Sequence, residues 1–514
     1  MYLTQVLHQA LQQDPTRPLT VYGDRTRTVA ETVDRVSRLA SALRELGVGP
    51  DDRVAMLGLN SDYYHDYLLA VPWADAVLNP VNYRWSPAEM CHSLAESGCR
   101  VLLVGEHFVD IVPQLRERCP DLATVVFYGD GDCPEGMVDG RRLVAESTPV
   151  PDARRGGDAL FGIFYTGGTT GLPKGVMLSH QAVLVNALGT MATGEWGSHD
   201  GRMLHVAPMF HLADIFIWLT GMINRATHVF LASFTPAGIF DALERERIND
   251  VLLVPTMLQV MVDSPELAGR DLSSVRQVTY GTSPMSEALL AQAGAMFPNA
   301  RFAQAYGMTE LAPVATVLTP RDHEDPSLRR SAGRPAPHSE VRIVDPDDVE
   351  VPRGSVGEIV ARGVHMMSGY WNRPEETAAA LRGGWMHTGD AGYMDDRGYV
   401  FVVDRLKDMI ISGGENVYSA EVEFALSRHP AVAACAVIGV PDAQWGERVH
   451  AVVVPAAGAA PTLAELQQFC RQQIAAYKLP RSLETTDALP VSGAGKVLKR
   501  VLRAQHWAAA GRQI

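Results

Sequence analysis

The chain has 514 residues, 46% hydrophobic and 20% charged, a balance that fits a globular protein with a substantial core and excludes global disorder. At roughly 150 residues per domain, such a length predicts about three domains or subdomains. The formal net charge of −14 argues against broad, non-specific binding to nucleic acid or anionic membranes, while a local cluster of Lys and amide N–H groups still accommodates phosphate.

The N-terminus, Met1-Tyr2-Leu3-Thr4-Gln5, has no basic segment followed by an apolar stretch. No apolar run reaches the ~20 residues of a membrane span. The final Gly511-Arg512-Gln513-Ile514 is not a peroxisomal address. A soluble, cytoplasmic protein is expected. The six cysteines (Cys91, Cys99, Cys119, Cys133, Cys435, Cys470) are scattered without metal-site spacing and read as unpaired core thiols.

Residues 28–46 carry Val29, Val33, Val36, Leu39 and Leu43 at helical spacing. Short apolar runs at 53–59, 101–104 and 123–127 predict buried strands, and their alternation with helices predicts a parallel sheet covered by helices. Runs at 251–254 and 275–278 repeat the theme. From about 333 to 403, strands Glu340 to Val344, Gly357 to Ala361 and Tyr399 to Val403 are separated by turn clusters, which predicts a small antiparallel sheet or barrel. The last ~110 residues have their own α+β pattern, with helices at 419–428 and 463–475 and strands at 434–439 and 449–454. The expected organisation is an α/β N-terminal domain over 1–403, built of two parallel-type subdomains plus a small barrel, and a small α+β domain over 404–514.

The strongest motif is Tyr165-Thr166-Gly167-Gly168-Thr169-Thr170-Gly171-Leu172-Pro173-Lys174-Gly175. Glycines let several N–H groups converge on one anion; the Thr hydroxyls and Lys174 add donors and charge. Such a loop suits a polyphosphate. It is not a Walker A loop, because Pro173 stands where the Gly before the Lys belongs.

This loop resembles the phosphate signature of the adenylate-forming superfamily, which includes acyl- and aryl-CoA synthetases, firefly luciferase and peptide-synthetase adenylation domains. Gly167 replaces the commoner Ser. The remaining signatures follow in order along nearly the whole chain. Ala305-Tyr306-Gly307-Met308-Thr309-Glu310 resembles the second core motif. The resemblance implies that Tyr306 stacks on adenine, Gln304 bonds its edge, Thr309 meets the α-phosphate, and Glu310 with Thr166 holds Mg²⁺. In Trp385-Met386-His387-Thr388-Gly389-Asp390 it gives Asp390 the ribose hydroxyls, shared with Arg405. Lys407 matches the hinge about which the C-terminal domain swivels. Gly413 and Gly414, with Trp445, match positions along the CoA arm and channel. Lys496, in Pro490-Val491-Ser492-Gly493-Ala494-Gly495-Lys496-Val497, matches the adenylation lysine.

The implied activity is an acid–CoA ligase: a carboxylate and ATP give an acyl-adenylate and pyrophosphate, and CoA then takes the acyl group and releases AMP. A stand-alone enzyme loading a carrier protein is the alternative. ATP and CoA are implied cosubstrates and Mg²⁺ the metal; nucleic acid is not a partner, and no sequence feature argues for or against a homodimer.

The acid itself is less legible. Pro208-Met209-Phe210-His211 resembles a motif bordering the carboxylate, with His211 as gate or contact. Leu212, Ala213, Ile215, Phe216, Trp218, Val254 and Met257 are apolar, while Gly281, Thr282 and Gly307 are small or slender enough for a chain or ring to slide past backbone. A hydrophobic acid, medium-chain or aromatic, is expected. Asp214 is expected to face solvent or a basic partner, since a buried unpaired carboxylate is costly.

Overall fold

A computed structural model describes every residue except 167–171, 195, 283–284, 413–414, 443, 492–495 and 509–514. Residues Met1–Val341 and Ala361–Met386 form one compact unit; Arg342–Val360 and His387–Ile514 form the other.

The first unit is built on two large sheets. One has eight strands in the order Gly369–Tyr370, Lys174–Ser179, Leu160–Thr166, Val77–Pro80, Arg53–Leu57, Val101–Val104, Thr124–Phe127, Val138–Asp139. Its strands from Leu160–Thr166 to Val138–Asp139 pair in parallel. The other has nine, in the order Arg334–Pro335, Thr316–Leu318, Arg301–Tyr306, Gln277–Gly281, Asp250–Leu252, Arg202–His205, Thr227–Phe230, Pro18–Tyr22, Arg25–Thr28. Its strands from Arg301–Tyr306 to Pro18–Tyr22 are parallel. Val54, Ala55, Leu102, Leu103, Val126 and Val278 are buried, as parallel strands covered on both faces require.

The helix expected over 28–46 is Val29–Glu45. Thr28 accepts from the Glu31 amide, and Glu31 accepts the Thr28 amide at 2.7 Å, a reciprocal cap that satisfies two otherwise orphaned donors. Val29, Val36, Leu39 and Leu43 face inward.

Two strands that the sequence reading does not single out, Pro18–Tyr22 and Arg25–Thr28, join the sheet otherwise built by the middle of the chain, Pro18–Tyr22 pairing in parallel with Thr227–Phe230. The crossing is fastened by charge. Arg25 binds Asp62 through Nε and Nη2, at 2.6 and 2.8 Å, and Arg27 Nη1 lies 2.6 Å from the same buried carboxylate. Asp62 opens the helix Asp62–Trp73, which follows a strand of the eight-stranded sheet, so this cluster ties the two sheets together.

In the second unit the expected small sheet or barrel is a four-stranded sheet, Glu340–Val344, Gly357–Arg362, Met386–Met394 and Val400–Arg405 in that order, some of whose end residues belong to the first unit. A five-stranded sheet follows, centred on the long pair Val432–Asp442 and Gly446–Pro455 and flanked by helices Ser419–Ser427, Leu463–Cys470 and Lys499–Ala508. The helix expected over 463–475 stops at Cys470, because residues 471–473 are exposed and offer no apolar face to bury. All six cysteines are free thiols, four of them buried. Among the described residues, no helix is long and apolar enough to cross a membrane.

Candidate active site

The phosphate motif runs from the end of one strand to the start of the next. Strand Leu160–Thr166 runs antiparallel to Lys174–Ser179, and Thr166 pairs with Lys174 across the ladder. Thr166 and Lys174 therefore face each other at the ends of the two strands. Gly167, Gly168, Thr169, Thr170 and Gly171 lie outside the described residues. His92 Nε2 donates to the Pro173 carbonyl at 3.0 Å and holds the descending arm.

The edge strand Gly369–Tyr370 pairs with Val176 and Met177 of that arm. This register brings Tyr370 beside both charged candidates. Its hydroxyl donates to Glu310 Oε1 at 2.8 Å, and Lys174 Nζ lies over its ring, 5.3 Å from the centroid. Lys174 is ion-paired with Glu376, on the helix Pro374–Ala380. Burial, and then the Glu310 charge, raise the Tyr370 phenol well above its ordinary value, so it stays a donor. The Met367 amide donates to the Glu310 carbonyl at 2.8 Å, holding the short 3-10 turn Thr309–Leu311 from the backbone side. Neither Tyr370 nor Glu376 belongs to any motif read from the sequence; only the strand register reveals them.

The nine-stranded sheet supplies a second row of candidates. In parallel α/β sheets, ligands bind beyond the carboxyl ends of the strands. At that edge lie, strand by strand, Gln304 to Gly307, Gly281 and Thr282, Val254, and Pro208 to His211. Gly281 pairs with Ala305, so the two small-residue turns are neighbours. A Cβ on Gly307 would run into the Pro313 carbonyl, which explains why only glycine fits there. Thr282 has φ +67°, a strained value for a β-branched residue and a common mark of a functional turn. Tyr280, buried, places its hydroxyl 3.3 Å from Gln304 Oε1 and 2.9 Å from His323 Nε2. Gln304 thus has a supporting pair that its sequence context does not announce.

His211 is the N-cap of the helix Leu212–Ile223, its Nδ1 accepting the Ala213 amide at 3.2 Å. That bond fixes the ring at the carboxyl-end edge. Ala213, Val254 and Met257 are partly exposed, but Trp218 is fully buried and donates through Nε1 to His65 Nδ1 at 2.9 Å. Trp218 is therefore core, not pocket lining. Asp214 faces no solvent: it is fully buried, and its partner is His205 Nδ1 at 3.0 Å, whose Nε2 in turn meets His228 Nδ1 at 2.9 Å. Burial raises the Asp214 carboxyl and lowers His228 well below its ordinary value. The aspartate is spent inside the helix–sheet packing.

The second unit carries the remaining candidates. Asp390 and Arg405 are cross-strand partners in the antiparallel pair Met386–Met394 and Val400–Arg405, with Arg405 Nε 3.3 Å from Asp390 Oδ1. Asp404, beside them, accepts from Ser419 Oγ at 2.6 Å and anchors the helix Ser419–Ser427. Lys407 sits in the turn Leu406–Asp408, where burial and then Arg405 lower its pKa; Arg503 donates to its carbonyl at 2.7 Å. Gly413 and Gly414 lie outside the described residues, but Ser412, just before them, pairs with Gly446. Trp445, which precedes Gly446, is half-buried under Arg481, whose guanidinium carbon is 4.2 Å from its ring centroid. Lys496 is exposed and borders the antiparallel bridge Val491–Val497.

Residues 7–371 match the family described as AMP-binding enzyme, and residues 421–496 match the AMP-binding enzyme C-terminal domain. A feruloyl-CoA synthase from Amycolatopsis sp is 42% identical over 483 residues, 94% of each chain. A fatty acid–[acyl-carrier-protein] ligase from Streptomyces coeruleorubidus is 36% identical over 98% of this chain and 96% of its own. The solved structure of the amide bond synthetase McbA from Marinactinospora thermotolerans superposes with TM-score 0.88 at 32% identity, over 98% of this chain and 99% of that one. With two motif-bearing sheets, an antiparallel strand pair ending in Thr166 and Lys174, and a family match across most of its length, the chain belongs to the AMP-binding enzyme family within the adenylate-forming superfamily and is an AMP-forming acid–thiol ligase.

Proposed function

We propose that the chain joins a hydrophobic carboxylic acid, aromatic or medium-chain, to CoA by way of an acyl-adenylate. The observation that carries this reading is the row at the carboxyl-end edge of the nine-stranded sheet. It sets adenine candidates (Gln304, Tyr306) two strands from a partly exposed apolar group (Val254, Met257), with His211 one strand further on.

In the first half-reaction the acid's carboxylate oxygen attacks the α-phosphorus as pyrophosphate leaves. Little covalent work falls to the protein, so positioning and charge stabilisation dominate. Thr166, Lys174 and the Gly167–Gly171 backbone are assigned the β- and γ-phosphates, Thr309 and Lys496 the α-phosphate, and Asp390 with Arg405 the ribose. Gln304 reads the adenine edge and Tyr306 stacks on the ring. Glu310 and Thr166 offer the oxygen donors that Mg²⁺ prefers, and the buried Glu310 carboxylate, oriented by Tyr370, fits that ion. Bound there, Mg²⁺ would supply positive charge next to the phosphates. In the second half-reaction the CoA thiol attacks the adenylate carbonyl and AMP departs. Gly413, Gly414 and Trp445 are assigned to the pantetheine path, with Lys407 as the hinge between the two steps.

The test is CoA-dependent AMP formation from ATP across acetate, hexanoate, octanoate, palmitate, benzoate, hydroxycinnamates and amino acids, with Lys496→Ala as control. Acyl-CoA from one hydrophobic acid, lost in the variant by about 10²–10³ in rate, is expected. Pyrophosphate release that never yields acyl-CoA favours the carrier-loading reading, which the likeness to a fatty acid–[acyl-carrier-protein] ligase supports. No turnover with any acid overturns the assignment.

A further inference from the structure

The C-terminal region holds a cluster that adenylation leaves unused. Strands Gly446–Pro455 and Ser482–Thr485 run in parallel, with His450 opposite Ser482 and Val452 opposite Glu484. Side chains two apart on a strand share a face, so His450 and Val452 point the same way, as do Ser482 and Glu484. Helix Lys499–Ala508 packs over that face: Leu502 is buried with Ala436, Ile438, Val440 and Val452, and Trp507 Nε1 donates to the Gly439 carbonyl at 3.1 Å. His506 lies one turn beyond Leu502 on the same helical face and arrives above His450, ring centroids 4.7 Å apart.

The three donor atoms converge. Glu484 Oε2 is 3.6 Å from His450 Nε2 and 3.5 Å from His506 Nε2, and all three lie within 4.8 Å of one another. Two ligands of a tetrahedral zinc with bonds near 2.0–2.1 Å stand about 3.3–3.5 Å apart, so both carboxylate separations are close to those of a shared ion. Two further observations mark the cluster as a site. His450 is buried, with 5% exposure, yet its Nε2 has no hydrogen-bond partner, an arrangement that ordinary packing avoids. Its Nδ1 is 2.7 Å from Ser482 Oγ, which directs the opposite nitrogen into the cluster, as an outer-shell partner does for a metal-bound histidine. Arg448, two residues away on the same face, is 3.6 Å from Asp442, which offsets its charge.

We propose that His450, Glu484 and His506 bind one divalent transition metal, with zinc as the ion best matched to two imidazoles and a carboxylate. Imidazole selects first-row transition ions over Mg²⁺, which keeps this site distinct from the oxygen donors at Glu310. The ion clips the helix Lys499–Ala508 to the sheet beneath it. That helix also carries Arg503, which holds the Lys407 carbonyl and lies 3.2 Å from Asp408, and it begins three residues after Lys496. A clip there braces the segments on either side of the proposed hinge and adenylation lysine.

The experiment is titration of Zn²⁺ into the full-length, metal-stripped protein, followed by calorimetry and by zinc content after gel filtration, with no ATP or acid present. One retained zinc per chain is expected, together with a rise in thermal midpoint that a chelator reverses. His506→Ala, at a half-exposed helical position that tolerates Ala, should lose that zinc and the midpoint shift. Ser482→Ala should weaken binding about 10–100-fold while keeping the stoichiometry. Absence of zinc uptake by the unaltered protein, or equal uptake by His506→Ala, overturns the site.

Discussion

Tyr370 donates its hydroxyl hydrogen to Glu310 across 2.8 Å, and the same ring lies beneath Lys174. One aromatic residue from a two-residue edge strand thus steadies both the carboxylate assigned to the metal and the ammonium assigned to the phosphates. Replacing it by Phe leaves the ring under Lys174 but removes the donor from the buried carboxylate. We expect Tyr370→Phe to lower kcat/KM for ATP about tenfold, equivalent to roughly 1.4 kcal/mol. Magnesium titrations of pyrophosphate release check the assignment, because a role confined to packing would leave the magnesium dependence unchanged.

Lys174 reaches any phosphate by giving up Glu376. Both side chains are about a third exposed, so the pair is worth about 0.2–1 kcal/mol. Glu376→Gln should therefore lower KM for ATP by about 1.5- to 5-fold. In a Lys174→Ala background the same change should do nothing, and a double-mutant cycle on KM reads the difference directly.

Asp62 serves Arg25 and Arg27 at the crossing between the sheets and is 1% exposed at its side chain. Asp62→Asn leaves two guanidinium groups without their carboxylate. A loss of about 3–5 kcal/mol in unfolding free energy is expected, by analogy with other broken buried pairs. Urea denaturation measures it, and a change below about 1 kcal/mol would show that Asp66 and Asp130 compensate.

Acid should unfold the first unit through its buried histidines. His65, His180 and His365 are each held down to about 3, against an ordinary 6.5, chiefly by burial. Depressed groups contribute stability above pH 6.5 and lose it as pH falls from 6.5 towards 3, because the unfolded chain takes up the proton first. Each such group costs up to about 1.4 kcal/mol per pH unit in that window. His180 has neither ring nitrogen hydrogen-bonded and stands edge-on to Phe161. His180→Phe should reduce the drop in stability between pH 7 and pH 5 by about 2 kcal/mol, measured by urea unfolding at the two values.

How much of this was legible beforehand follows from the range of the interactions. The strands Arg53–Leu57, Val101–Val104 and Glu340–Val344 declared themselves because burial or face alternation writes itself into consecutive residues. Thr166 and Lys174 stood out because phosphate chemistry asks for particular donors at close spacing, whereas Tyr306 and Glu310 were picked out only by their motif's resemblance to a known family. Tyr370 was not, since its importance rests on pairing with Val176, far away in sequence. For Asp214 the sequence left solvent or a basic partner open, and only the fold, which brings His205 on a neighbouring strand to it, decides for the partner. Trp218 likewise counted as pocket lining until His65 arrived to accept its N–H.

The strand Pro18–Tyr22 has a consequence for how the protein is made. Its partner Thr227–Phe230 leaves the ribosome roughly 200 residues later, about 10–40 s at 5–20 residues per second. Through that interval Pro18–Tyr22, and with it Arg25 and Arg27 on the next strand, cannot take its final place in the nine-stranded sheet, while the strands of the eight-stranded sheet are already emerging. The edge of the second sheet is thus synthesised well before it can be completed, so these two strands stay open to chaperones and to premature pairing while the chain grows.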